Sequence, residues 1–196
     1  MTLPLFPLNT VLFPGCKLDL QLFEARYLDM IGRCMKQGEG FGIVCILEGS
    51  EVGEAATAHA ALGCEARVLD FQQQDNGLLG IRIEGGRRFQ VERVEVQRDQ
   101  LIVADVHWLE EAPEEPLQNE DEDLLVLLAA LTDHPMVAGL DMDGPPQGRQ
   151  ALANRLAYLL PFDDHDKLTL LGIAEPGARL AALQALLERM QGELQA

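Results

Sequence analysis

Apolar residues change their spacing once along this chain, near residue 110, and that change limits the folds open to it. Before it, Cys64, Ala66 and Val68 alternate with charged residues, as do Ile81 and Ile83. This is the period-two signature of half-buried strands. After it, Leu124, Leu127, Leu128 and Leu131 recur at helical spacing, followed by Leu152, Leu156, Leu159 and Leu160, and later by Leu180, Leu183, Leu187 and Met190. The order predicts an α+β chain, with the β part first and a small helical bundle second.

Finer punctuation divides both parts. Pro4, Pro7 and Pro14 interrupt the apolar run Leu3 to Phe13, which reads as an entering edge strand closed by a Pro14-Gly15 turn. Leu18 and Leu20 suggest another extended piece. Phe23, Tyr27, Met30, Ile31 and Cys34 mark one inserted amphipathic helix over about residues 22–37, stopped by Gly38. Phe41 to Leu47 is a strand, and residues 62–108 read as wholly β. Asp75-Asn76-Gly77 is a hairpin turn, because Asn-Gly supplies positive φ at little cost. Gly85-Gly86 predicts the next tight turn. Phe89 and Val91 share one parity and Val94 and Val96 the other, which places a β-bulge near Glu92-Arg93. A turn at Arg98-Asp99 leads into Leu101 to Trp108. Glu111 to Pro116 is a charged, proline-containing linker. Pro161 stops one helix, and Asp163 or Asp164 caps the next, which carries Leu168 and Leu171.

The chain carries 32 acidic and 15 basic side chains, a net charge of -17. Residues 1–110 account for -6 of it and residues 111–196 for -11. Such a surface repels phosphate backbones and anionic lipid, so nucleic acid is disfavoured as a partner. Arg82, Arg87, Arg88, Arg93 and Arg98 form the one locally basic stretch; Glu84, Glu92 and Glu95 dilute it, which favours a salt-bridged sheet surface. No secretory leader and no membrane-spanning apolar run is legible, and a cytoplasmic location is expected. Cys16, Cys34, Cys45 and Cys64 form no CxxC pair, so reduced core cysteines are expected rather than a redox motif or zinc site.

The catalytic inventory is thin. Ser50 is the only serine and lies in no nucleophile elbow. Lys17, Lys36 and Lys167 follow no phosphate-binding loop. His59, His107, His134 and His165 lie far apart; His107 could share a sheet face with Asp105, and His165, amid Asp163, Asp164 and Asp166, offers a weak metal pattern that helix capping explains better. Glu120-Asp121-Glu122-Asp123 precedes a leucine helix and suits its N-terminus and a solvated face. Asp141-Met142-Asp143-Gly144 starts like a calcium loop, but Pro145-Pro146 and the missing late glutamate break it. No catalytic, cofactor-binding or metal-ligating residue is therefore assigned.

Order and motif together carry a resemblance. Leu3-Pro4-Leu5-Phe6-Pro7-Leu8, Val11-Leu12-Phe13-Pro14-Gly15 and Leu20-x-Leu22-Phe23-Glu24-x-Arg26-Tyr27 closely resemble the opening signature of the Lon protease N-terminal, or Lon substrate-binding, domain. Phe41-Gly42-Ile43-Val44, Gly63-Cys64-Glu65-Ala66, Gly85-Gly86-Arg87-Arg88-Phe89 and Ala104-Asp105-Val106-x-Trp108-Leu109 continue the likeness. Leu156-Ala157-x-Leu159-Leu160-Pro161, Lys167-x-x-Leu170-Leu171 and Arg179-Leu180 extend it through the helical part. One departure is Gly172, where the family often has glutamate after Leu-Leu; it should loosen the end of that helix.

The resemblance implies a PUA-like β pseudobarrel with one inserted helix over residues 1–112, an acidic linker over 113–119 and a C-terminal helical bundle over 120–196. It implies a stand-alone bacterial relative without the family's ATPase and Ser/Lys peptidase modules, hence not an enzyme. It further implies a non-catalytic protein- or peptide-binding module, an adaptor or regulator in protein quality control. Its expected partners are unfolded or flexible protein segments, with a protease or chaperone as further candidates. The alternative is an RNA-binding adaptor using the β part. Candidate peptide surfaces are the stretch Phe6 to Phe13 and the neighbourhood of Trp108, although Phe6, Phe13, Phe23 and Trp108 are also expected in the core; no peptide-binding residue is assigned.

Overall fold

A computed structural model of the chain describes residues 1–142 and 144–194. It divides into two compact units, Met1–Leu109 and Glu110–Ala196. The first holds β1 (Thr2–Leu8), β2 (Lys17–Leu22), α1 (Ala25–Gln37), β3 (Phe41–Glu48), β4 (Ala58–Gln73), β5 (Leu79–Val96) and β6 (Ile102–Trp108). The second holds a 3-10 turn at Asn119–Asp121, then α2 (Glu122–Thr132), α3 (Pro135–Ala138), α4 (Arg149–Leu159), α5 (Asp164–Gly172) and α6 (Pro176–Leu194). The fold is thus α+β, a multi-strand sheet followed by helices.

The strands run in the order β2-β5-β4-β3-β1-β6, and β5 returns to pair with β6. That return closes the sheet into a ring and leaves β2 outside it, bonded only to the first part of β5. One strand can serve both partners because β5 is 18 residues long and bends. Its register slips against β4 between the pairs Cys64–Arg88 and Ala66–Gly85, and against β6 between Val91 and Arg93. The second slip is the bulge expected from the parity change around Glu92.

Two expectations need correction. Gly85 and Gly86 are not a turn; they lie inside β5. A Cβ on Gly85 would stand 2.1 Å from the Phe13 carbonyl oxygen, so glycine there permits a close backbone approach. β1 is not an edge strand either. It pairs in parallel with β3 and antiparallel with β6, and its prolines are tolerated at ladder positions that need no N–H from them.

Leu3, Leu5, Val44, Phe89, Ile102, Ala104 and Val106 form one core cluster inside the ring. Trp108 meets Phe89 edge-on, with ring centroids 6.0 Å apart. The inserted helix buries Tyr27, Met30, Ile31 and Cys34 and ends at Gly38, whose φ of 67° is the left-handed cap that glycine favours. Phe23 departs from the expected core: it precedes the helix and is 53% exposed. All four cysteines are buried, and none is in a disulfide.

In the second unit α4 lies against α2, α5 and α6. Leu152, Ala153, Leu156 and Ala157 fill its buried face, opposite Leu124, Leu128, Leu170, Leu171, Leu180 and Leu183. Arg179 is completely buried; it donates to the Asn154 side chain and, through Nε at 3.0 Å, to the Ile173 carbonyl. The guanidinium thus holds the carbonyl that follows the Gly172 end of α5. Asp163 caps α5 by accepting from the Asp166 N–H at 2.7 Å. Asp143, part of the calcium-loop pattern, lies outside the described residues. Next to it, the Gly144 carbonyl accepts from Arg155 at 2.8 Å.

Candidate protein-binding groove

Leu22 ends β2 as a buried residue, and the chain stays extended through Glu24, with φ -83° and ψ 131°, before turning into α1. That extended link puts Phe23 outside the helix period and into solvent. Across from it, the loop between β3 and β4 carries Val52, also 53% exposed. Between them lies a groove of about 160 Å³. Its floor is apolar: Leu8 and Leu22 are buried, and Phe6 stacks on Tyr27 with centroids 3.9 Å apart and ring planes 11° apart. Leu20 adds a half-buried side chain from β2.

The outer edge of β2 borders this groove and is bonded to no other strand among the described residues. A free strand edge offers unpaired backbone donors and acceptors to an extended segment. Asp19, Glu24 and Glu51 stand on the rim. Asp19 accepts two hydrogen bonds from Arg82, at 2.8 and 2.9 Å. Glu24 pairs with Arg26 at 3.0 Å, and Glu51 accepts from the Asn9 N–H at 2.5 Å. Burial raises the Tyr27 phenol above its ordinary pKa; Arg26 opposes the rise, while Glu24 and Glu51 add to it. A second, larger depression of about 540 Å³ shares Asp19, Leu20 and Gln21 with the groove. Gln72, Gln74 and Arg82 line it and make it more polar, with Phe71 58% exposed beside it.

The residues singled out in the sequence fall elsewhere. Val11, Leu12 and Phe13 are core, and of the stretch Phe6 to Phe13 only Phe6 and Leu8 reach the groove, as floor. Trp108 is half-buried, with the Arg87 guanidinium 4.0 Å above its ring. Arg88 is 1% exposed, so the basic stretch is split between core and surface by strand alternation. Ser50 accepts from the Val52 N–H at 3.3 Å. Asp105 accepts from Thr2 at 2.9 Å, and among the described residues no hydrogen bond or ion pair joins it to His107. His59 approaches the Ala60 carbonyl, and His134 caps α3 by accepting from the Met136 N–H.

Asp163, His165 and Asp166 do come together, with potential ligand atoms within 4.8 Å of one another. Asp163 is already the helix cap and Asp166 is paired with Arg189. The acidic run before α2 departs in part from the expected solvated face. Asp121 is 1% exposed, accepts from the Gln118 N–H at 2.9 Å and pairs with Arg149 at 3.1 Å. Glu114, within the stretch read as linker, accepts from the N–H groups of Gln150 and Ala151 and so caps α4. No helix among the described residues is long and apolar enough to cross a membrane.

A chain with a closed multi-strand unit, a helical unit and an open apolar groove has the layout of a mixed α+β recognition domain. Residues 2–189 match the family described as the ATP-dependent protease La (LON) substrate-binding domain, and the chain belongs to that family. The matched stretch is the substrate-binding region and contains neither the ATPase nor the peptidase module of Lon. A Lon N-terminal domain protein from Xanthomonas campestris is similar over 94% of this chain and 98% of its own, at 35% identity and a TM-score of 0.74. The N-terminal domain of Mycobacterium avium complex Lon protease shares the fold, at 18% identity and a TM-score of 0.61 over 93% of this chain and 96% of its own. A Lon protease from Flavobacterium johnsoniae is 25% identical over 128 residues, which cover 65% of this chain and 15% of that protein.

Proposed function

We propose that the chain is a non-catalytic protein-binding module of quality control, an adaptor or regulator that takes unfolded or flexible segments into the groove beside β2. The observation that carries this reading is the pairing of an apolar floor with two exposed apolar walls, Phe23 and Val52, next to a free strand edge. Main-chain pairing gives affinity with little sequence demand, and the groove supplies one apolar anchor point. In this reading the closed ring is a PUA-like pseudobarrel; the β domain over 1–112 presents the groove, and 113–119 joins it to the helical domain over 120–196. The buried cysteines, none of them in a disulfide, support a reducing, cytoplasmic setting. The RNA-binding alternative is weakened by Arg88 being buried and by Arg82 and Arg87 each lying against a carboxylate.

The test uses the full chain and a fluorescently labelled, reduced and carboxymethylated globular protein, with the native form of that protein as control. Burying a phenylalanine side chain is worth about 1.5–3 kcal/mol, so Phe23→Ser should weaken binding of the unfolded form about tenfold or more. Equal binding of folded and unfolded forms, or an affinity unchanged by Phe23→Ser, would refute the reading.

A further inference from the structure

The groove is small. At about 160 Å³ it is close to the size of a cavity that holds a single benzene ring. It therefore accepts one apolar side chain of an incoming segment and no more. Any further selectivity has to come from what surrounds that anchor.

The surround is one-sided in charge. The groove's lining includes three carboxylates, Asp19, Glu24 and Glu51, and no lysine, arginine or histidine. Asp19 and Glu24 are each matched by an arginine from outside the lining, Arg82 and Arg26. Arg26 is itself held within the fold: it is 5% exposed, donates to the Gln100 carbonyl at 2.9 Å and lies 4.6 Å from the Tyr27 ring centroid. Glu51 differs. It accepts one backbone N–H, from Asn9, and no basic side chain pairs with it among the described residues. It sits beside exposed Val52, in a loop that follows Glu48 at the end of β3, also carries Glu54 and has no basic residue. An apolar floor beneath such a rim excludes water and concentrates the field of the carboxylates at the groove mouth.

Resting on the groove as the docking site, we infer that its preferred occupant is an extended segment with a lysine or arginine within one or two positions of the apolar anchor. The anchor fills the space between Phe23 and Val52. The neighbouring cation then lies over Glu51, which gains the ion partner that the fold does not give it. A segment carrying aspartate or glutamate beside its anchor meets three carboxylates and is rejected. Complementarity of this kind acts on partner choice and association rate more than on total affinity, so an acidic chain can sort flexible segments while demanding little of their sequence.

Three labelled peptides test it on the whole chain by fluorescence anisotropy. Each carries one phenylalanine anchor in a glycine-serine frame, flanked by lysine, glutamine or glutamate. Exposed ion pairs set the scale. Lysine flanks should bind about threefold to fivefold more tightly than glutamine flanks at low ionic strength, and glutamate flanks more weakly than both. The spread should collapse at about 0.5 M salt, where the screening length falls to a few ångströms. Glu51→Gln keeps an acceptor for the Asn9 N–H and should bring the lysine-to-glutamine ratio close to one. The peptide series on the unaltered chain needs no variant to fold. Equal affinities across the series, with Phe23→Ser still weakening all three, would overturn the charge preference and leave the groove standing. Affinities that Phe23→Ser does not change would overturn the groove and the preference together.

Discussion

Replacing Gly85 by alanine asks whether this residue is a flexible turn point or a site of backbone contact. The new Cβ would stand 2.1 Å from the Phe13 carbonyl oxygen and 2.8 Å from its carbonyl carbon. Both are backbone atoms, so no rotamer change relieves the clash. The Phe13–Cys16 segment has to move away from β5 by about 1 Å or more, because an ordinary contact begins near 3.4 Å. That movement strains two hydrogen bonds, Gly15 N–H to the Gly85 carbonyl at 2.8 Å and Gly85 N–H to the Cys16 carbonyl at 2.9 Å. Each is worth about 1 kcal/mol, and forcing a methyl into a packed site beside fully buried Phe13 and Cys16 adds about 1–3 kcal/mol. Alanine returns about 0.5–1 kcal/mol by restricting the unfolded chain. The net expected loss is about 3 kcal/mol. At Gly86 the nearest atom is Glu65 Oε2, at 2.9 Å, the end of a side chain rather than backbone, so Gly86→Ala should cost clearly less than Gly85→Ala. Urea unfolding followed by the fluorescence of Trp108, the only tryptophan, reads the β unit directly. A Gly85→Ala protein within about 1 kcal/mol of the parent, or a Gly86→Ala protein destabilised as much, would refute the close-approach account.

Glu114→Ala removes the carboxylate from the N-terminus of α4 and should cost the helical unit about 1 kcal/mol. Hydrogen exchange at the Gln150 and Ala151 amides should accelerate severalfold, and unchanged protection there would remove Glu114 as the cap. Tyr27→Phe keeps the stack on Phe6 and deletes the phenol. Because burial holds the Tyr27 pKa above the ordinary value of 10.0, the folded chain keeps that proton longer than the unfolded chain, and stability falls as pH rises from about 10 through the higher folded value. Melting curves across that range should fall less steeply for Tyr27→Phe than for the parent; equal slopes would show that the phenol does not sense burial.

The strands and helices were legible wherever one local signal decided the matter. Asp75-Asn76-Gly77 sets a hairpin because Gly77 takes a φ of 81°, and the parity change between Val91 and Val94 records a bulge that β6 also registers. Partner choice is different in kind. The prolines of β1 argued for an edge, yet the N–H groups they lack are not those that β3 and β6 require. The glycine pair argued for a turn because glycine is common in turns, although close approach demands glycine just as strictly. Asp121 and Glu114 look like any acidic surface in one dimension, and only the fold of the second unit brings Arg149 and the start of α4 to them.

Phe23 shows why the groove could not be read from periodicity. Its spacing to Tyr27 and Met30 fits the buried stripe of α1, but the stripe is a property of helical backbone and the chain at Glu24 is extended. Two alternations meet there: the strand's buried parity ends at Leu22, and the helix's buried face begins at Arg26 and Tyr27. Phe23 lies between them on neither buried set, more than half exposed. A lone exposed phenylalanine needs no explanation. This one faces an exposed valine across a groove floored by four apolar residues of β1 and β2 and by the ring of Tyr27, while the adjoining strand edge is bonded to no other strand. A fold that buries Leu22 and most of Tyr27 could have covered Phe23 by starting the helix one turn earlier. Holding it in solvent instead forgoes about 1.5–3 kcal/mol of burial, which the proposed docking of an apolar side chain would recover.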